Sequence, residues 1–139
     1  MCLEIITTPK KLKSDGKAYK VFKKTVRGNL YFQYSFTGKK SPIPTGKWIN
    51  ERDYRNSQSK RIERIGAGLR VATKACQFYP KGFHAFLNKE KAKDYMREYL
   101  YRGVLIPIKF RKACAKGKQH GQNVIVAKEI FIPSEVNNA

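Results

Sequence analysis

Residues 82–110 read GFHAFLNKEKAKDYMREYLYRGVLIPIKF, a strand, a helix and a strand in succession. Gly82-Phe83-His84-Ala85-Phe86 enters as a short strand from the turn at Pro80-Lys81-Gly82. Asn88 is the expected N-cap, because its side-chain oxygen can accept from a first-turn amide that has no partner within the helix. The helix is predicted over 88–102. Ala92, Tyr95, Met96, Tyr99 and Leu100 fall at i, i+3, i+4, i+7 and i+8, one apolar stripe at the helical period. Gly103 is expected to stop it, since glycine takes the left-handed cap conformation without a Cβ penalty. Val104 to Phe110 follows as the most apolar strand of the chain.

Working outward, residues 1–8 are apolar and β-branched and predict a short strand closed by Pro9. A second strand is expected from Lys17 to Val26, with Tyr19 and Val21 on one face and Lys20, Phe22, Lys24 and Val26 on the other. Neither face is cleanly apolar. Arg27-Gly28-Asn29 predicts a hairpin turn, and Leu30 to Phe36 returns with Leu30, Phe32, Tyr34 and Phe36 on one face. Residues 37–48 are punctuated by Gly38, Pro42, Pro44 and Gly46 and read as a loop, with Trp48 and Ile49 anchoring its end to the core. Over 51–65 a helix is the best reading, weakened by Asn56, Ser57 and Ser59. Leu69 to Phe78 suits helix or strand. Arg111 to Gln122 reads as a basic loop carrying Gly117 and Gly121, and Asn123 to Ile132 as a final strand buried on both faces and ended by Pro133.

Together these elements predict a single α+β domain spanning 1–139. Its expected form is a mixed, mostly antiparallel sheet of about five or six strands with one amphipathic helix packed on it. A chain of 139 residues can bury roughly two-thirds of its unfolded surface. Three widely spaced cysteines, Cys2, Cys76 and Cys114, have no metal-ligand spacing, and only His84 and His120 could join them. Neither a structural metal nor a cofactor is expected, and the thiols read as inert groups in a reducing cytosol. No apolar run approaches the length of a membrane span.

The dominant feature is charge. Thirty Lys and Arg stand against ten Asp and Glu, a net charge of +20, and the pI is near 10.1. So large a charge repels itself, and a polyanion relieves that repulsion. The acids concentrate on the predicted helix, where Glu90, Asp94 and Glu98 run beside Lys89, Lys93 and Arg97. That pattern is a solvated, salt-bridged face. The candidate nucleic-acid contacts lie elsewhere: Lys10, Lys11, Lys13, Lys20, Lys23, Lys24 and Arg27 in one segment, Arg55, Arg61 and Arg64 in the middle, and Lys109, Arg111, Lys112, Lys116 and Lys118 near the end. Cations neutralise phosphates and aromatics stack on unpaired bases, which makes Tyr31, opposite the Leu30 face, the stacking candidate. No base-reading motif accompanies them, so low sequence specificity is expected.

No catalytic residue is assigned. His84 lies between Phe83 and Ala85 and reads as a structural histidine. Glu129 is placed with Ile125, Ala127 and Phe131 on its face, where a carboxylate needs a cationic partner on the next strand or else has a catalytic use. Gly66-Ala67-Gly68 lacks the spacing of a phosphate loop.

The Met1-Cys2-Leu3 opening, the Lys20-Val21 strand, the Gly82-Phe83-His84-Ala85-Phe86 motif and the helix after it resemble small accessory proteins encoded by bacteriophages. That resemblance implies a host-cell cytoplasmic protein, and some such proteins counter host defences. In element order the chain also resembles ADP-ribosyltransferase folds, which would put Glu129 near the catalytic glutamate. It departs from them in lacking a Ser-Thr-Ser motif and a Glu-x-Glu pair, and in offering Tyr19-Lys20-Val21 where those enzymes carry Arg or His. The leading expectation is a phage-type accessory protein that binds RNA, DNA or a nucleoprotein complex through its basic surface. An anti-CRISPR type of inhibitor acting by protein contact is the alternative, and an ADP-ribosyltransferase-like enzyme using Glu129 the second.

Overall fold

A computed structural model of the protein describes residues 3–32, 42–54, 62–65, 68–72, 78–100 and 103–134. In chain order the elements are β1 (Ile5–Ile6), β2 (Gly16–Lys24), β3 (Leu30–Phe32), β4 (Trp48–Asn50), a 3-10 turn (Glu51–Tyr54), β5 (Ile62–Ile65), β6 (Gly68–Ala72), β7 (Phe78–Pro80), β8 (Phe83–Phe86), α1 (Lys89–Tyr99), β9 (Gly103–Gln119) and β10 (Gln122–Phe131). All strand pairs among the described residues are antiparallel. Among the described residues the protein is therefore mostly antiparallel sheet with one α-helix.

Strand β9 organises the sheet. Its first half pairs with β2, from Lys23↔Gly103 to Gly16↔Phe110. Its second half pairs with β10, from Phe131↔Lys109 to Gln122↔Gln119. Strand β8 pairs with β10 over Phe83–Phe86 and meets β2 at Tyr19↔Phe86. These four strands close a ring, with β1, β3 and β4 added at its margins. Strands β5, β6 and β7 form a separate three-stranded sheet.

Both faces of the ring are covered, which explains why β2 shows no clean alternation. One core takes Ala18, Phe22, Phe83, Ala85, Ile106, Ile108, Phe110, Ile125 and Ile130 from the four ring strands. The other takes Val21, Phe86, Val124 and Val126 from the opposite faces and packs them on Ala92 and Tyr95 of α1 and on Tyr79 of β7. Successive residues of β10, Val124 to Ala127, are all buried. A strand between two cores is apolar on both sides, as the final strand's composition implied.

The helix begins where expected. Asn88 is extended, with φ −117° and ψ 126°, and its side chain accepts from the Lys91 amide at 3.0 Å. Its exposed face carries the pairs Lys93–Glu90 at 3.6 Å and Arg97–Asp94 at 3.8 Å. The end is different. The helix stops at Tyr99 with Leu100 as an extended cap, and Gly103 opens β9 without a left-handed φ. Gly103 is small for another reason: a Cβ there would sit 2.8 Å from Leu100 Cδ2 and 2.9 Å from Met96 Cγ.

The basic loop expected over 111–122 is the far half of β9, followed by a two-residue turn. His120 (φ 49°) and Gly121 (φ 74°) both have positive φ, the backbone of a tight primed hairpin turn. Gly117 marks close strand approach, since a Cβ on it would lie 2.1 Å from the Ile5 carbonyl oxygen. Its absence lets Glu4 N and Thr7 N donate to the Lys118 and Lys116 carbonyls at 2.8 Å each. Gly117→Ala is expected to detach β1 and destabilise the fold by about 2–3 kcal/mol. Thermal unfolding with amide exchange at Glu4 and Thr7 checks this; unchanged protection at both amides would disprove the close-approach account.

The helix predicted over 51–65 is also corrected. Glu51–Tyr54 is a single 3-10 turn and Ile62–Ile65 is a strand, paired with β6 from Ile62↔Val71 to Ile65↔Gly68. Cross-strand pairing has overridden a weak helical propensity. Of the Leu69 to Phe78 stretch, the described residues are strand. Residues 33–36 of the expected Leu30 to Phe36 strand, residues 55–61, and Gly66-Ala67 lie outside the described residues.

Candidate nucleic-acid interface

Where β4, β10, β9 and β2 lie side by side, the ladder places Trp48 opposite Phe131, Phe131 opposite Lys109 and Lys109 opposite Lys17. One register step away, Asn50 faces Glu129 and Glu129 faces Arg111. Ile49, Ile130 and Phe110, the residues between, belong to the ring core, so the two rows share the opposite face. Glu129 is thus not on the face of Ile125 and Ala127. Core positions in β10 are Ile125 and Ala127, then Ile130 and Ile132, so the alternation slips once before Glu129. The β9–β10 register also shifts at Val126/Ala127, a β-bulge that re-aims the side chains beyond it.

Lys112 precedes this shift, whose β9 partners are Ala113 and Ala115, and has φ 56°, a conformation few non-glycine residues adopt. In a regular strand Arg111 and Lys112 would point to opposite faces. Here both reach Glu129. Arg111 Nη2 lies 2.6 Å from Glu129 Oε1 and Lys112 Nζ lies 2.8 Å from Oε2. Arg111 Nε also donates to Oε1 at 2.6 Å, and Asn50 Nδ2 donates to Oε2 at 3.3 Å. The Glu129 side chain is 8% exposed. Hydrogen bonds from Lys112, then Arg111 and its charge, outweigh burial and hold the carboxyl below its usual range. The partner that a buried carboxylate demands is thus supplied by the neighbouring strand.

Arg111 has a second contact. Its guanidinium carbon stands 4.1 Å from the Trp48 ring centre, and Trp48 in turn meets Phe131 at 5.7 Å. Lys109 Nζ lies 5.9 Å from the Phe131 ring centre. Cations over aromatic faces are held by the ring quadrupole. In front of this layer opens a cleft of about 500 Å³, lined by Lys17, Lys109, Arg111, Lys112, Trp48 and Phe110, with Ser14, Asp15 and Gly16 as its far wall. Ala113 N donates to the Ser14 carbonyl at 2.9 Å and fixes that wall to β9. Four cations therefore share one concavity with one acid, Asp15. Comparison with known protein families, with curated proteins and with solved structures finds no match.

Of the sequence-predicted contacts, Lys109, Arg111 and Lys112 come together in this cleft. Lys10, Lys11, Lys13, Lys23, Arg27 and Lys118 are exposed; Lys24, Tyr31 and Lys116 are half-buried. Arg55 and Arg61 lie outside the described residues, and of Arg64 the backbone alone is described, in β5. Lys20 is turned inward. Its Nζ donates to the His84 carbonyl at 2.7 Å and lies near the Phe22 and Phe32 rings. Burial lowers its pKa to about 8. It is therefore a packing lysine, unlike the exposed lysines among the candidate contacts. Sequence reasoning does not single out Lys17, one cation of the basic 10–27 segment, or Trp48, which reads as a core anchor. Only Ile49 fills that role, at 4% exposure.

His84 is 7% exposed, and its Nε2 is 2.9 Å from the Tyr79 hydroxyl. The Leu3 amide donates to that hydroxyl oxygen at 2.9 Å, leaving the Tyr79 proton to point at Nε2. A hydrogen bond to the Gly82 backbone engages the ring as well. Burial, reinforced by the Lys20 charge, lowers the His84 pKa to about 3. This is a neutral histidine in a hydrogen-bonded chain tying the N-terminal segment to β7 and β8. Cys114 is half-buried, and burial raises its pKa to about 11, which makes it a poor nucleophile. Among the described residues no group of His, Cys, Asp and Glu could hold a metal ion, and no helix is long and apolar enough to cross a membrane.

Proposed function

We propose that the protein binds nucleic acid, with the β2–β9–β10–β4 cleft as its centre and the exposed lysines and arginines around it adding phosphate contacts. The observation that carries this reading is the gathering of Lys17, Lys109, Arg111 and Lys112 around one aromatic-lined cleft in a chain of net charge +20. Phosphates supply affinity in such a site, and the scarcity of base-reading groups gives low sequence specificity. The resemblance of the sequence to phage accessory proteins adds to this proposal an accessory role, on free nucleic acid or on a host nucleoprotein complex whose nucleic acid is accessible. Glu129, bound by Arg111 and Lys112, acts in this reading as the anion that positions two of the cations.

A salt titration tests it. With about five phosphates neutralised, log affinity should fall with log salt at a slope near −4.5 on duplex DNA, and roughly −3.5 on single strands. Absence of binding at low salt would rule nucleic acid out as direct ligand and leave an acidic protein face, the anti-CRISPR type of contact, as the partner to seek.

A further inference from the structure

Resting on the nucleic-acid reading, we infer that the cleft receives one unpaired nucleotide, with its phosphate on Lys17, Lys109 and Lys112 and its base on the Trp48–Arg111 layer, so that the preferred partner is single-stranded.

Size and shape argue first. A concavity of about 500 Å³ is in the range of small-ligand pockets. Bases within a duplex are stacked and paired, and cannot enter such a hollow without leaving the helix. Duplex reading uses instead an element that protrudes into a groove, and the sheet here offers a recess. An unpaired base can enter, present its face to an aromatic or a guanidinium plane, and leave its phosphate at the basic rim.

Preorganisation argues second. Arg111 is pinned from one side by Glu129 at 2.6 Å and lies against Trp48 at 4.1 Å. A guanidinium fixed in this way keeps a stacking surface without losing side-chain freedom on binding. Lys112 reaches the same side only because its backbone adopts φ 56°. Unfavourable backbone conformations of this kind concentrate where a site needs a side chain in an irregular place. Trp48 is half-buried and lies at the sheet margin, on a three-residue strand, and it is one of the residues that line the cleft.

Trp48 is the single tryptophan of the chain, so its emission reports on this site alone. An oligothymidylate of about a dozen nucleotides and a duplex of equal length are titrated into the full chain. Trp48 emission is followed together with the anisotropy of an end-labelled strand. The single strand is expected to quench Trp48 and to bind at least about tenfold tighter than the duplex. Trp48→Ala is expected to weaken single-strand binding by about tenfold, the loss of one base stack. Single-strand binding seen by anisotropy, with wild-type Trp48 emission and the variant's affinity both unchanged, would overturn the inference while leaving the nucleic-acid reading intact. Equal affinity for the duplex would overturn it too. No binding of either probe would remove the nucleic-acid reading itself. The wild-type emission makes the test independent of whether the variant folds.

Discussion

Reversing three charges in the cleft, Lys17→Glu, Lys109→Glu and Lys112→Glu together, is expected to weaken nucleic-acid binding by at least about a hundredfold at 0.1 M salt. The three side chains line one concavity, so each reversal places a carboxylate where a phosphate would lie. Loss of the one phosphate held in the cleft should also flatten the salt slope on single strands from near −3.5 to about −2.8. Net charge alone would give a lesser effect wherever the changes were made. A control with Lys89, Lys91 and Lys93 changed to Glu has the same total charge as the cleft variant. Those residues lie on α1, whose buried residues Ala92 and Tyr95 pack in the second core, away from the ring core. The control is expected to lose less than about tenfold. Fluorescence anisotropy over a salt series measures both variants. Equal losses would show that the cleft has no special part and that affinity is a property of overall charge.

Acid should unfold the protein through His84, the second large effect expected. The unfolded state takes up a proton near pH 6.5, whereas the folded state resists it until about pH 3. Between those values the unfolded state binds more protons, so stability rises with pH. The contribution is complete above pH 6.5 and is lost progressively as pH falls toward 3. At about 1.4 kcal/mol per pH unit the whole window is worth at most about 5 kcal/mol, comparable to the total stability of a small domain. The imidazole cannot escape by simple reorientation, because Nε2 faces the Tyr79 hydroxyl at 2.9 Å and Lys20 Nζ is bound to the His84 carbonyl at 2.7 Å. His84→Gln keeps a polar side chain without a proton to gain. Denaturant unfolding at pH 7 and pH 4.5 should show wild type losing about 3 kcal/mol more than this variant. An identical pH response in the two proteins would place the acid sensitivity elsewhere.

Local signals sufficed where the physics is local. The Asn88 cap, the buried Ala92 and Tyr95 of the helix stripe and the flanking salt bridges depend on residues a few positions apart, and the sequence located each of them, whereas Tyr99 of the expected stripe is exposed and Leu100 caps the helix. The Gly28 hairpin is similar: Gly28 has φ 85° and its amide donates to Thr25 at 2.9 Å. The glycines of β9 were harder, because the same residue serves as turn, cap or close-approach site. Gly103 and Gly117 are small for what other strands and the helix bring against them, which no window of sequence contains.

The site divides in the same way. Composition and charge clustering pointed to a polyanion partner and to Lys109, Arg111 and Lys112 from the sequence alone, along with the need of Glu129 for a cation. Tertiary structure decided which of the many cations converge. Antiparallel register sets Trp48, Phe131, Lys109 and Lys17 in one row across four strands. A slip in β10 and a left-handed Lys112 bring two consecutive cations onto one carboxylate. Lys20, identical in type to its neighbours, is drawn inward because β8 offers it the His84 carbonyl. Side-chain chemistry is written in the sequence, but strand register determines which side chains meet, because a shift of one residue turns every side chain to the other face.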